Sequence, residues 1–237
     1  VKTILNTRSE TQSHELSSLL EFHGNRVIHF PLLKIIPIDF DSVESRAFDY
    51  FIFTSQNAVE QFFLRVHPFP KHAVVIAVGS ATRNALENKG VKECIVPEKF
   101  SSVGILALPI LQHIQERKIA IVSGENPKLL LSDALEKRAA QVTPIYCYRR
   151  VAMSYDMGVE FPRLQSAAID TIILTSDENM TQCLQLFSGP THRSWLLQKA
   201  VCVISEEMEN RAKREGFQTV MLADNATNAA IARKMKI

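Results

Sequence analysis

Glycine and proline are scarce in this chain, 8 and 10 of 237 residues, and that scarcity excludes collagen-like, linker-rich and disordered classes. Cysteine is scarcer still. Cys94, Cys147, Cys183 and Cys202 form no CxxC pair and stand too far apart to staple a small secreted frame, so they read as reduced thiols of a cytoplasmic chain. No apolar run approaches the roughly 18 to 20 residues of a membrane-spanning helix, and the opening Val1-Lys2-Thr3-Ile4-Leu5 has neither a cationic nor an apolar leader region. Membrane insertion and export are therefore not expected. Charge of one sign is also missing: 27 Lys and Arg against 25 Asp and Glu leave +2, with no basic stripe to follow a phosphate backbone, so nucleic-acid binding is not expected either. The 7 histidines make no HxH, HExxH or Cys-His cluster, which argues against a metal. No GxSxG elbow, no GxGxxG fingerprint after a strand and no GxxxxGK[ST] loop is present, which removes the common hydrolase, dinucleotide and nucleotide signatures.

What is there is a globular composition, 46% apolar and 22% charged, arranged as short β-branched runs that alternate with helical periods. Strands are expected at Lys2 to Leu5, Arg26 to Phe30, Tyr50 to Phe53, Val74 to Ala77, Ile119 to Val122, Thr171 to Leu174 and Val201 to Ile204. A helix is expected from about Ser9 to His23, with Leu16, Leu19 and Leu20 on one face. Strand followed by helix many times over predicts α/β architecture with parallel sheets flanked by helices.

The pattern also repeats in tandem. Asp49 stands five residues before Thr54-Ser55, as Asp170 does before Thr175-Ser176; Ala73 to Gly79 with Gly90 parallels Ala200 to Ser205 with Gly216; Leu20-Glu21 and Val27 parallel Leu135-Glu136 and Val142. The chain thus reads a-b-c then a′-b′-c′, which predicts two similar α/β lobes. Repeats alone leave open which units share a lobe. Pro31 to Pro37 and Thr143 to Val151 are poor helix candidates at the a/b and a′/b′ junctions, and are the natural crossovers. With both as crossovers, residues 1–33 and 151–237 make lobe one, 38–145 make an inserted lobe two, and 34–37 and 146–150 connect them, with hinge motion expected at Leu32 to Pro37 and Thr143 to Val151.

Several strand-to-helix junctions are rich in small polar residues, among them Thr54-Ser55-Gln56-Asn57, Gly79-Ser80-Ala81-Thr82, Ser101-Ser102, Ser123-Gly124, Thr175-Ser176 and Thr227-Asn228. Each is an ordinary helix cap or a carboxylate or phosphate site. Asp177-Glu178 and Glu206-Glu207 occupy two of the helix starts in the second half and would repel an anion, so an anionic ligand is expected on the middle lobe. Tyr146 and Tyr148 share a strand face by period 2, either as packing or with one of them as a proton donor beside a cleft.

The order of these motifs resembles the uroporphyrinogen-III synthase family. The resemblance rests on Asn6-Thr7-Arg8, Phe53-Thr54-Ser55-Gln56-Asn57-Ala58-Val59, Ala77-Val78-Gly79-Ser80-Ala81-Thr82, Ser101-Ser102 with Gly104, and Ile145-Tyr146-Cys147-Tyr148-Arg149. It implies two α/β lobes joined by a two-stranded antiparallel linker, and a cofactor-free lyase that cyclises hydroxymethylbilane to uroporphyrinogen III. Water is lost and ring D inverts through a spiro intermediate. By position, Tyr148 is the cleft-facing tyrosine that assists departure of the hydroxyl. Arg8, Thr54, Ser55, Asn57, Gly79, Ser80, Thr82, Ser101, Ser102, Gly124, Ser176 and Thr227 match positions that hold the substrate. A cleft of this kind needs no partner chain, so a monomer is expected, with transient contact to hydroxymethylbilane synthase as the expected partner. One departure is Gly124-Glu125-Asn126-Pro127-Lys128, where the cationic role of relatives falls to Lys128. A two-lobed small-anion binding protein and an inactive relative are the competing readings.

Overall fold

A computed structural model describes residues 1–40, 47–127 and 129–235, so Lys128 lies outside the described residues. The chain divides into two compact units, 1–34 with 151–237, and 35–150.

The first unit is built on five parallel strands, β1 (Thr3–Asn6), β2 (Arg26–His29), β8 (Thr171–Ile173), β9 (Ala200–Val203) and β10 (Thr219–Leu222), in the order β10-β9-β8-β1-β2. Alternate residues feed two cores. Leu5, Ile172, Val201 and Val203 face α6 (Met157–Ser166), α7 (Asp177–Leu186), α8 (Pro190–Leu197) and α9 (Glu206–Glu215), through side chains such as Leu164, Met180, Leu196 and Met208. Ile4, Ile173 and Cys202 face α1 (Glu10–Phe22) and α10 (Asn228–Met235), through Leu16, Leu20 and Ile231. Both faces of the sheet are therefore covered, which is what the near-continuous apolar runs require.

The second unit carries the order β3-β7-β6-β4-β5, from β3 (Leu33–Pro37), β4 (Tyr50–Phe53), β5 (Val74–Ala77), β6 (Lys118–Gly124) and β7 (Gln141–Ala152). The pairs β4 with β5, β4 with β6 and β6 with β7 are parallel, and β3, beside β7, makes this sheet mixed. The chain crosses between units within β3 and β7. Phe51, Phe53, Ala120, Val122, Ile145 and Cys147 face α2 (Gln56–Phe62) and α3 (Ser80–Asn88). Tyr50, Ile52, Ile119 and Ile121 face α4 (Ser102–Leu106) and α5 (Leu130–Lys137). Phe51, Phe53, Phe62, Phe63 and Phe69 form one aromatic cluster on the first of these faces; truncating Phe62 to Ala would cost about 3–5 kcal/mol.

The tandem repeat is visible in both orders. Reading b and b′ as β4 and β8, c and c′ as β5 and β9, each sheet runs second strand of a, first strand of a, b, c, although unit two takes its a strands from the end of its segment and unit one from the start. Even the edges correspond: β10 pairs with β9, while in unit two a single bridge from Ile76 to Ile95 stands in the same place beside β5. Ser55 and Ser176 both cap their helices from extended backbone, accepting hydrogen bonds at 3.0 Å from Ala58 N–H and Asn179 N–H. Gly90 and Gly216, past the ends of α3 and α9, have φ of 86° and 100°, which side chains rarely tolerate.

Candidate active site

In an open α/β sheet, ligands bind where the strand order reverses, outside the carboxyl ends of the two diverging strands. In unit two that point lies between β4 and β6, whose ends are Thr54-Ser55 and Ser123-Gly124. A cavity of about 450 Å³ opens there, reaching Tyr146, Tyr148 and Arg150 on β7. Parallel β6 and β7 slip out of register at this place, Ser123 pairing with Tyr146 but Gly124 with Tyr148. The bulge turns the ring of Tyr148 onto Gly124. A Cβ at 124 would stand 2.7 Å from Cζ and 3.1 Å from the hydroxyl of Tyr148, so only glycine admits the ring. Tyr148 is 2% exposed. Its hydroxyl lies 3.0 Å from Ser55 Oγ, its backbone carbonyl accepts from Glu125 N–H at 2.8 Å, and the Arg150 guanidinium stands 5.7 Å from its ring centre. Thr54 is tied to the carbonyl of Val122 through both its N–H and its hydroxyl.

The same switch point in unit one, between β1 and β8, is packed with polar side chains. Asn6, Thr7, Arg8 and Asn179 are all buried. The Thr7 hydroxyl bonds the carbonyl of Ile173, and Asn179 donates to the carbonyl of Thr7 at 3.1 Å. The Arg8 guanidinium donates to Asn228 Oδ1 at 2.6 Å and Gln12 Oε1 at 3.3 Å, while its Nε has no partner. Burial pulls Arg8 down to about 10, against the opposing pull of Glu15.

The family model for uroporphyrinogen-III synthase HemD matches residues 14–233. Uroporphyrinogen-III synthase of Escherichia coli K12 is 30% identical over 246 residues, covering 99% of this chain and 100% of the relative, and that of Salmonella typhimurium LT2 is 28% identical over 245 residues with the same coverage. The chain belongs to the uroporphyrinogen-III synthase family. The fold agrees: a synthase structure from Thermus thermophilus superposes with a TM-score of 0.65 at 15% identity, covering 100% of this chain and 98% of that one. One from Helicobacter pylori 26695 gives 0.64 at 13% identity, covering 98% and 97%. This chain is accordingly a cyclising lyase of tetrapyrrole biosynthesis.

Within this synthase, the residues expected at the site do not all gather. Thr54, Ser55, Ser102, Gly124 and Tyr148 line the unit-two cavity. Asn57, Gly79, Ser80, Thr82 and Ser101 belong to the same unit but not to its lining, and Thr82 is buried inside α3. Ser101 caps α4 through Gly104 N–H, and Gly79 caps α3 with its Cα against the ring of Phe100. Arg8, Ser176 and Thr227 belong to unit one, where Thr227 accepts from Ala230 N–H at 3.2 Å and donates to Asn225 Oδ1 at 2.6 Å. Among the other lining residues, Ser123 stands at one of the polar junctions read from sequence and Arg150 in the second crossover, though neither was assigned to the site, and Asp133 and Glu136 were missed. The acids share the cavity face of α5, yet no motif marks them. Among the described residues no group of three or more His, Cys, Asp or Glu could hold a metal ion, and no helix is long and apolar enough to cross a membrane.

Proposed function

We propose that the unit-two cavity is where hydroxymethylbilane loses its hydroxyl, and that Tyr148 is the group that assists the loss. The substrate's own pyrrole nitrogen supplies the electron pair that expels the hydroxyl, and a proton delivered to that oxygen lets it depart as water. Ring D then attacks through its substituted carbon, the spiro intermediate opens, the ring recloses inverted, and a proton is lost to restore the pyrrole. Spontaneous closure gives the uninverted isomer, so the enzyme's task is mostly positioning. Each tenfold preference needs only about 1.4 kcal/mol of differential stabilisation. The observation that carries this reading is the buried Tyr148 hydroxyl, seated by Gly124 and Ser55 on the wall of a cavity at the strand reversal.

Thr54, Ser102 and Gly124 are the substrate contacts within this cavity, Arg150 supplies its cation, and Asp133 and Glu136 bias carboxylates away from the α5 side. Asn57, Gly79, Ser80, Thr82 and Ser101 act one step back, as caps and supports within unit two, while Arg8, Ser176 and Thr227 hold the helix starts of unit one. The buried free thiols of Cys147, Cys183 and Cys202 suit a reducing, cytoplasmic compartment, where the chain works as a monomer fed by hydroxymethylbilane synthase.

The test supplies freshly generated hydroxymethylbilane, oxidises the product, and separates isomers I and III by chromatography. Predominant isomer III from the native chain, with Tyr148→Phe slower by about 10²-fold or more and richer in isomer I, supports the reading. Full turnover and isomer purity in Tyr148→Phe would refute the role of Tyr148.

A further inference from the structure

The reading above leaves open what decides where the Tyr148 proton points. The ring has no freedom, being buried and pressed onto Gly124, so the only free rotation is that of the phenolic O–H. Ser55 Oγ stands 3.0 Å from that oxygen and also accepts from Ala58 N–H at 3.0 Å. A serine hydroxyl has one proton and two lone pairs. With one lone pair taken by the cap, its proton and the other lone pair remain for Tyr148. A hydroxyl whose oxygen already accepts is polarised into a better donor, and the effect passes along the chain.

We propose that Ser55 is the positioning residue for Tyr148, donating to the phenolic oxygen so that the tyrosine's own proton is turned into the cavity. The relay runs from Ala58 N–H to Ser55, from Ser55 O–H to Tyr148, and from Tyr148 O–H to the departing hydroxyl. Ser55 itself makes no contact with the reacting atoms. This goes beyond a substrate-binding role for Ser55 and rests on the reading of Tyr148 as the donor. It also explains why a residue at the start of a short helix is tied to a strand 93 positions away.

The experiment is a double-mutant cycle on the full chain, with isomer-resolved kinetics. Ser55→Ala lowers kcat about tenfold and leaves KM within about twofold, whereas Ser55→Thr, which keeps hydroxyl and cap, restores kcat to within about twofold. Ser55→Gly provides the folding control, because glycine is a tolerable cap that lacks the hydroxyl, and it loses kcat as Ser55→Ala does. In a Tyr148→Phe background, Ser55→Ala costs no more than about twofold further, since the oxygen that Ser55 orients is gone. An equal loss from Ser55→Ala in both backgrounds would overturn the proposal and make Ser55 a cap alone. A rise in KM with kcat unchanged would overturn it in favour of a substrate contact. If Tyr148→Phe by itself keeps full kcat, the underlying reading fails, and that result is seen without any change at Ser55.

Discussion

Gly124→Ala tests the seat of Tyr148 with the smallest change available. The added Cβ would lie 2.7 Å from Cζ and 2.9 Å from Cε2 of the tyrosine, where carbon atoms need roughly 3.5 Å. The ring must therefore shift by about 0.8 Å, and its surroundings, which leave it 2% exposed, resist that shift. Overpacking of this size costs about 1–3 kcal/mol, a fall in Tm of several degrees. The hydroxyl moves with the ring, and its 3.0 Å contact to Ser55 stretches toward or past 3.5 Å, the limit of a useful hydrogen bond. Misplacing a catalytic group by nearly 1 Å costs up to about 10²-fold in kcat. Isomer-resolved turnover of fresh hydroxymethylbilane and a thermal melt measure the two effects side by side. Isomer I rises as the enzymatic route slows, because spontaneous closure then competes. A Gly124→Ala protein with native Tm, native kcat and pure isomer III would refute both the close packing and the dependence on the position of the tyrosine.

Thr227→Ala should lower stability by about 1 kcal/mol with KM unchanged, because the hydroxyl caps α10 and is held by Asn225; a raised KM with native stability, read by melts and kinetics together, would instead make it a substrate contact. Burial pushes the thiols of Cys147, Cys183 and Cys202 up to about 12 from 9.0, so a thiol reagent at pH 8 should label at most the half-buried Cys94 in the native chain and all four after denaturation. These three are acids with folded values above their unfolded ones, so the folded chain keeps protons that the unfolded chain gives up above about pH 9. Stability should fall from there toward pH 12, by about 1.4 kcal/mol per pH unit for each thiol at first. Denaturant titrations at pH 8 and pH 10 read that slope, and replacing the three with Ala or Ser should flatten it.

Much of the fold was legible because both sheets are covered on both faces. That burial writes Tyr50 to Phe53 and Val201 to Val203 as apolar runs, and the serine caps and glycine stops punctuate the helices between them. β10 escaped notice because it is a short edge strand whose residues are only partly buried, so selection for apolar side chains is weak there. β3 was legible from its own residues as extended, and its pairing with a strand more than 100 residues later came only through the family resemblance. For the site, the residue types were legible and the partnerships were not. Nothing local says that the Tyr148 ring lies on Gly124, because a one-residue slip between β6 and β7 decides it, and nothing near Ser55 names Tyr148. Arg8 was expected by resemblance at a substrate-holding position, yet it is buried against Gln12 of α1 and Asn228 of α10.

Two copies of one strand order carry different side chains at the strand reversal. At the reversal in unit one, Asn6 ends the strand, Thr7 follows it and Asn179 reaches back from α7, so hydrogen-bonding side chains fill the place a ligand would take. In unit two the equivalent strand ends in Ser123-Gly124, and the residue in the position of Asn179 is Ala58, three beyond the capping serine. Glycine at 124 leaves the space into which Tyr148 folds, and the cavity lies beside it. The helix starts point the same way: α7 and α9 open with Asp177, Glu178, Glu206 and Glu207, whereas α2, α3 and α4 have no acid in their first turns. A polycarboxylate is therefore repelled at those ends of unit one and not at the matching ends of unit two. The duplicated architecture supplies two crevices; hydrogen-bonded Asn6, Thr7 and Asn179 fill the one in unit one, whereas Ala58 stands in the place of Asn179 in unit two and a cavity remains beside Gly124.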